Sequence, residues 1–177
     1  MTQLLQDIFQ LEDSEQFDKV FQAYSEIYSK NKSEYEVWNH FYFFLWTAIE
    51  DAPSSFNDKI DLRRLLQVML NEGKQTFAEK ADFNFIAGYT VSIFPYEYGD
   101  FDDLEKEAKQ MLLKATNLEP ENSIYKMVYL GSISKADNQV YRKAAIEAAP
   151  KVLETFSGNG ALNKYFRQVL YSPIEKL

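Results

Sequence analysis

Cysteine is absent from this chain, and histidine occurs once, at His40. Without thiols there is no disulfide framework, thiolate zinc site, iron–sulfur cluster or cysteine nucleophile. A single imidazole excludes an H-E-x-x-H zinc motif and a three-histidine zinc site. Glycine and proline are scarce, with 6 and 5 among 177 residues. The glycines form no phosphate-cradling pattern and frame no G-x-S-x-G nucleophile turn. Long apolar runs are missing too: Phe41 to Ile49 is nine residues and contains Thr47, whereas crossing a bilayer takes about 20. The first residues, Met1 to Asp7, have no basic stretch and meet an acid too early for a signal peptide, and Thr2 stands where myristoylation requires glycine. A cytoplasmic protein with no membrane segment is expected. Basic residues are the minority, 19 Lys and Arg against 27 Asp and Glu, for a net charge of -8. With no basic stripe to neutralise phosphates, nucleic acid is not an expected partner.

What the chain has is apolar and aromatic material in helical phase. Hydrophobic residues make up 46% and aromatics 16%, a composition for a packed core and not for disorder. The length fits one domain, residues 1–177. Apolar residues recur at three- and four-residue intervals, and β-type alternation is absent. Phe17, Val20, Phe21, Tyr24, Ile27 and Tyr28 share one helical face, opened by Ser14 with a capping spacing between Asp13 and Gln16. Ser33 and Glu36 have the spacing of a capping box before a helix that carries Trp38, Tyr42 and Trp46 and ends before Pro53. Further helices are expected from Asp58 to about Gly73, from Asp82 to a stop at Pro95, from Asp102 to Leu118, from Asn122 to about Ser134 and from Asp137 to Ala148. Pro150 predicts a boundary, because proline fits a first turn but breaks a helix interior. The last helices are expected over 150–156 and, after the stop Ser157-Gly158-Asn159-Gly160, over 161–170. The fold class is therefore all-α, a single-domain bundle of antiparallel helix pairs joined by short linkers.

Gly99-Asp100-Phe101, followed by Ala108, Leu112, Ala115 and Pro120, resembles the second half of a tetratricopeptide repeat. In that family a glycine–acid–aromatic turn leads into a helix with a small, a large and a small residue at this spacing, and small residues let paired helices approach closely. Glu121-Asn122 and Leu130-Gly131 look like the start of a following repeat. The interval from Gly99 to Ala108 is about one helical turn longer than the family pattern, and Pro95 interrupts the place of a first helix. The repeat-like portion covers about residues 99–134. A second resemblance concerns the run from Phe83 to Tyr89, then Phe94 to Asp100, then Leu118 to Asn122. It looks like bacterial immunity proteins of contact-dependent growth inhibition and related polymorphic toxin systems. That resemblance implies a cytoplasmic protein that neutralises a cognate toxin domain by contact, without chemistry or cofactor.

Three places invite a functional reading. Between Tyr96 and Glu107 six acids face one cation, Lys106. Tyr96, Glu97, Tyr98, Asp100, Asp102 and Asp103 are the candidate partner-binding residues, with carboxylates steering a basic partner and rings supplying contact area. Acids in a first helical turn are also favoured by the helix dipole, at about 0.3–1 kcal/mol each, which accounts for Asp102 and Asp103 without any partner. The helix through Trp38, Tyr42 and Trp46 is apolar nearly all round, so it is expected to be buried centrally and not to line a groove. His40 follows Glu36 by four residues and the two could share a face, yet one imidazole and one carboxylate make neither a triad nor a metal site. The expected function is an immunity protein that binds a toxin domain, a basic nuclease above all. The alternative is a repeat-type adaptor holding a peptide of a cytoplasmic partner, and a hydrolase built on His40 and carboxylates is the third and least supported. No enzyme activity, metal or cofactor is expected.

Overall fold

A computed structural model describes residues 2–99, 101–133 and 137–175. Among them the structure is helical without strands, so the protein is all-α. The helices are α1 (Thr2–Asp13), α2 (Phe17–Lys30), α3 (Tyr35–Asp51), α4 (Ser54–Asn57), α5 (Leu62–Thr76), α6 (Ala81–Ile93), α7 (Phe101–Leu118), α8 (Ser123–Gly131), α9 (Asn138–Thr155) and α10 (Ala161–Glu175), with a short 3-10 turn at Pro95–Glu97. The chain divides into two compact units. One comprises Met1–Thr76 with Gly158–Tyr165, the other Phe77–Ser157 with Phe166–Leu177.

The first unit is organised around α3. Val37, Trp38, Tyr42, Phe43, Leu45 and Ala48 on this helix are inaccessible to solvent, because α2 packs on one side and α5 on another. Tyr42 stacks on Trp38 with ring centroids 4.6 Å apart, and Phe41 stacks on Tyr24 of α2 at 5.5 Å. The Trp38 indole Nε1 donates to the Met69 carbonyl at 2.9 Å, which satisfies the one polar atom this ring takes inside. α1 is not anticipated by the sequence pattern. It runs to Asp13, so Ser14 closes α1 by donating to the Gln10 carbonyl at 2.9 Å and does not open α2. The chain reverses through Glu15 in the left-handed region (φ 53°), and α2 starts at Phe17 with no side-chain cap. The box expected from Ser33 and Glu36 is likewise not formed, since Glu34 takes the cap position without a side-chain bond. Residues 158–165 return to α1. Gly160, at φ +89°, lies so close to Phe9 that a Cβ would meet the ring at 2.7 Å. Lys164 pairs with Asp13 there, and the Ala161 N–H donates to Glu12 at 2.8 Å.

In the second unit α6 packs on α7, α7 on α8 and α8 on α9. The small-large-small pattern of α7 has its physical consequence at the α6 contact. Ala108, Leu112 and Ala115 are buried, and a Cβ at Gly88 would stand 3.1 Å from the Ala108 carbonyl and the Leu112 nitrogen. α8 and α9 begin where their caps predict. Asn122 accepts from the N–H groups of Ile124 and Tyr125, and Asp137 from those of Gln139 and Val140. The boundary expected at Pro150 does not exist: α9 continues through it to Thr155. Pro150 and Ile146 both lie on the exposed side, so the Ile146 carbonyl that loses its helical partner is within reach of water. α8 ends at Gly131 with Ser132 as its C-cap, short of the expected end near Ser134, a residue that lies outside the described ones.

Candidate functional site

The candidate docking residues sit at the corner between α6 and α7. α6 ends at Ile93 because Pro95 cannot continue it. The chain then turns through Pro95–Glu97, where the Glu97 N–H donates to the Phe94 carbonyl at 3.1 Å and the Tyr98 N–H to the Pro95 carbonyl at 3.0 Å. In so tight a turn residues three apart lie on the same side. Pro95 and Tyr98 accordingly point inward together, and Glu97 is 1% exposed. Tyr96 points the other way at 58% exposed, with its ring 5.8 Å from that of Phe94.

This geometry corrects the predicted site. Tyr96, Asp102 and Asp103 are exposed as a docking surface requires. Glu97 and Tyr98 are not, since the 3-10 turn takes them into the packing of α6 and α7, and they cannot touch a partner. Asp100 lies outside the described residues. Two apolar residues belong to the surface in their place, Ile93 at 43% and Phe101 at 53% exposed. A hydrophobic period assigns both to helix interiors, and only their position at helix ends beside a proline turn could have marked them as outward-facing. Asp102 and Asp103 lie in the first turn of α7, where the dipole favours them whether or not a partner is bound. Farther along α7, Glu105 is engaged by Lys109 at 2.7 Å.

Ile93 also borders a cavity of about 220 Å³ within the second unit, walled by Tyr89, Leu112, Met127, Val128 and Leu170. A carboxylate-lined cavity of about 370 Å³ lies in the first unit, where Glu12, Glu15 and Asp51 surround Phe17 and Phe44. At its edge Glu12 accepts from the Tyr24 hydroxyl and the Ala161 N–H, both at 2.8 Å. Burial pushes the Glu12 carboxyl above its ordinary range despite those two bonds. A separate groove of about 260 Å³ runs between α1 and α2, with Leu4, Ile8, Leu11 and Ile27 along it.

His40 is buried, with its ring 4.8 Å from that of Phe9. Burial alone pushes its pKa down to about 4, so no neighbouring carboxylate holds a proton on the imidazole. Glu36 is exposed while His40 is not, and the shared face the sequence suggested is not formed. Trp38, Tyr42 and Trp46 are core residues and line no groove. Among the described residues no cluster of three or more His, Asp or Glu could hold a metal ion, and no helix is long and apolar enough to cross a membrane. Comparison with known proteins returns no match: no family model, no curated protein and no solved structure is significantly similar to this chain.

Proposed function

We propose that this protein acts by contact, as an immunity-type inhibitor that binds and neutralises a basic toxin domain such as a nuclease. The observation that carries the reading is the corner between α6 and α7, where Ile93, Tyr96 and Phe101 stand exposed next to Asp102 and Asp103. Exposed apolar groups clustered beside like charges favour recognition of another macromolecule. A net charge of -8 adds long-range attraction for a basic surface. The burial and neutrality of His40 support a role without acid–base chemistry. The groove along α1 and α2 favours the second reading, an adaptor that accepts an amphipathic peptide segment.

The test is co-expression with the polypeptide encoded immediately upstream, scored by growth and by co-purification. Rescue of growth and a stable complex are expected. The double variant Asp102→Lys/Asp103→Lys is expected to slow association on the order of tenfold or more at low salt, with the difference shrinking as salt rises. An association rate that ignores both the substitution and the salt would remove the corner from the interface. Tight binding of a short peptide, with no requirement for a folded partner, would favour the adaptor.

A further inference from the structure

We propose that the cavity bordered by Ile93 is an anchor socket, which receives one leucine-, methionine- or phenylalanine-sized side chain carried on a basic segment of the partner protein. The inference rests on the docking reading above and names what the partner must present.

Five helices supply the walls: Tyr89 and Ile93 from α6, Leu112 from α7, Met127 and Val128 from α8, Tyr141 from α9, and Leu170 from α10. No charged group lines it. Its two serine hydroxyls are already committed, Ser92 Oγ donating to the Tyr89 carbonyl and Ser132 Oγ to the Tyr129 carbonyl, each at 2.7 Å. A polar occupant would therefore find no free hydroxyl donor at either serine and no counter-ion, whereas an apolar one loses nothing by entering. The size fits as well. An apolar cavity of about 150 Å³ holds benzene, so about 220 Å³ accommodates a leucine or phenylalanine side chain. One wall is held in place before binding, since the Tyr89 ring meets Phe166 edge-on at 5.0 Å. A preformed socket is the usual setting for an interface residue that dominates affinity.

Charge decides what carries the anchor. Ile93 lines the socket and is 43% exposed, and Asp102 and Asp103 are exposed in the first turn of α7, the helix that supplies Leu112. A net charge of -8 favours lysine or arginine in the residues that flank the anchor and repels acids there. The same argument disfavours a second copy of this chain as the occupant, because two molecules of charge -8 repel.

The experiment uses the intact protein and two fluorescent peptides, Lys-Lys-Gly-Leu-Gly-Lys-Lys and the same peptide with serine in place of leucine, with toluene as a third probe. The leucine peptide is expected to bind about tenfold more tightly than the serine peptide, and to shift the methyl resonances of Met127, Val128 and Leu170. Val128→Phe, which fills the socket, is expected to erase that preference and leave the salt-dependent binding of the serine peptide unchanged. If Val128→Phe does not fold, Ser132→Leu at the half-buried rim serves the same purpose. Equal affinity for the two peptides overturns the socket and leaves the acidic corner standing. Toluene binding without a leucine preference makes the cavity a small-molecule site and overturns the proposal. Failure of both peptides to bind at low salt overturns the docking surface itself.

Discussion

The two units close their helix contacts in opposite ways. The first fills them with rings: Tyr24, Trp38, Tyr42, Phe43 and Phe56 have almost no exposed surface, and α3 carries rings on every side. The second also buries Phe83, Phe85 and Phe166, but its helices meet over small residues, Gly88, Ala108 and Ala115 between α6 and α7, and Ala144, Ala145 and Ala148 on α9. Ring-filled contacts hold helices apart at a distance set by side-chain volume. Small-residue contacts bring the backbones together, with no slack for added atoms. The difference teaches that the units are vulnerable to opposite substitutions, removal of atoms in the first and addition of atoms in the second.

The largest effect is expected where a ring is removed. Trp38→Ala should cost about 3–5 kcal/mol, from the void and from the Met69 carbonyl left without its indole donor. In a chain of this size that corresponds to a fall in Tm of roughly 2–4 °C per kcal/mol, measurable by thermal and urea denaturation. A loss under about 1 kcal/mol would mean the surrounding rings collapse into the gap, and the contrast between the units would fail on the first side. The reverse substitution tests the second side. Gly88→Leu should cost about 1–3 kcal/mol or more, since the Cβ alone meets backbone atoms of Ala108 and Leu112 at 3.1 Å. A leucine accepted at Gly88 without loss of stability would show that α6 and α7 can separate freely.

How far the sequence shows all this follows the same division. The burial of α3 is legible because rings fall on every face, a pattern no half-exposed helix carries. The closeness of α6 and α7 is legible from Ala108, Leu112 and Ala115, although their partner Gly88 is visible only in the structure. α1 escapes notice because Leu4, Leu5, Ile8 and Phe9 stand among glutamines without a start or stop signal. Pro150 misleads because an interior proline breaks one helical hydrogen bond without ending the helix, and here the exposed side of α9 leaves the orphaned carbonyl within reach of water. The docking corner is only half legible. Charge and aromatic content mark the segment, but which of Tyr96, Glu97 and Tyr98 faces outward depends on the tight pitch of a three-residue turn, which hydropathy does not encode.

The smallest effect sharpens the comparison, because rings that carry hydroxyls draw carboxylates in after them. In the first unit Tyr24 donates to Glu12 at 2.8 Å and Tyr28 to Glu72 at 2.7 Å, and in the second Tyr125 donates to Asp82. The two glutamates respond to pH with opposite signs. At Glu72 burial acts to raise the pKa, but the bonds from Lys32 and Tyr28 outweigh it and the carboxyl lies below its ordinary value near 4.5. Its stabilisation is present above that value and is lost as pH falls through the lower folded pKa. At Glu12 burial wins, and the folded pKa lies above the ordinary value. Its contribution is complete below about pH 4.5 and is lost as pH rises through the folded pKa, so at neutral pH the ionised carboxylate is a burden on the fold. Glu12→Gln keeps a carbonyl oxygen for the Ala161 N–H and removes the charge. A small rise in Tm at pH 7 is expected, slight beside the two losses above, shrinking towards zero near pH 4, where the native glutamate is itself protonated. A fall in Tm at pH 7 would show that the bonds from Tyr24 and Ala161 demand the full negative charge, and that burial at this edge of the ring-filled core is milder than its surroundings imply.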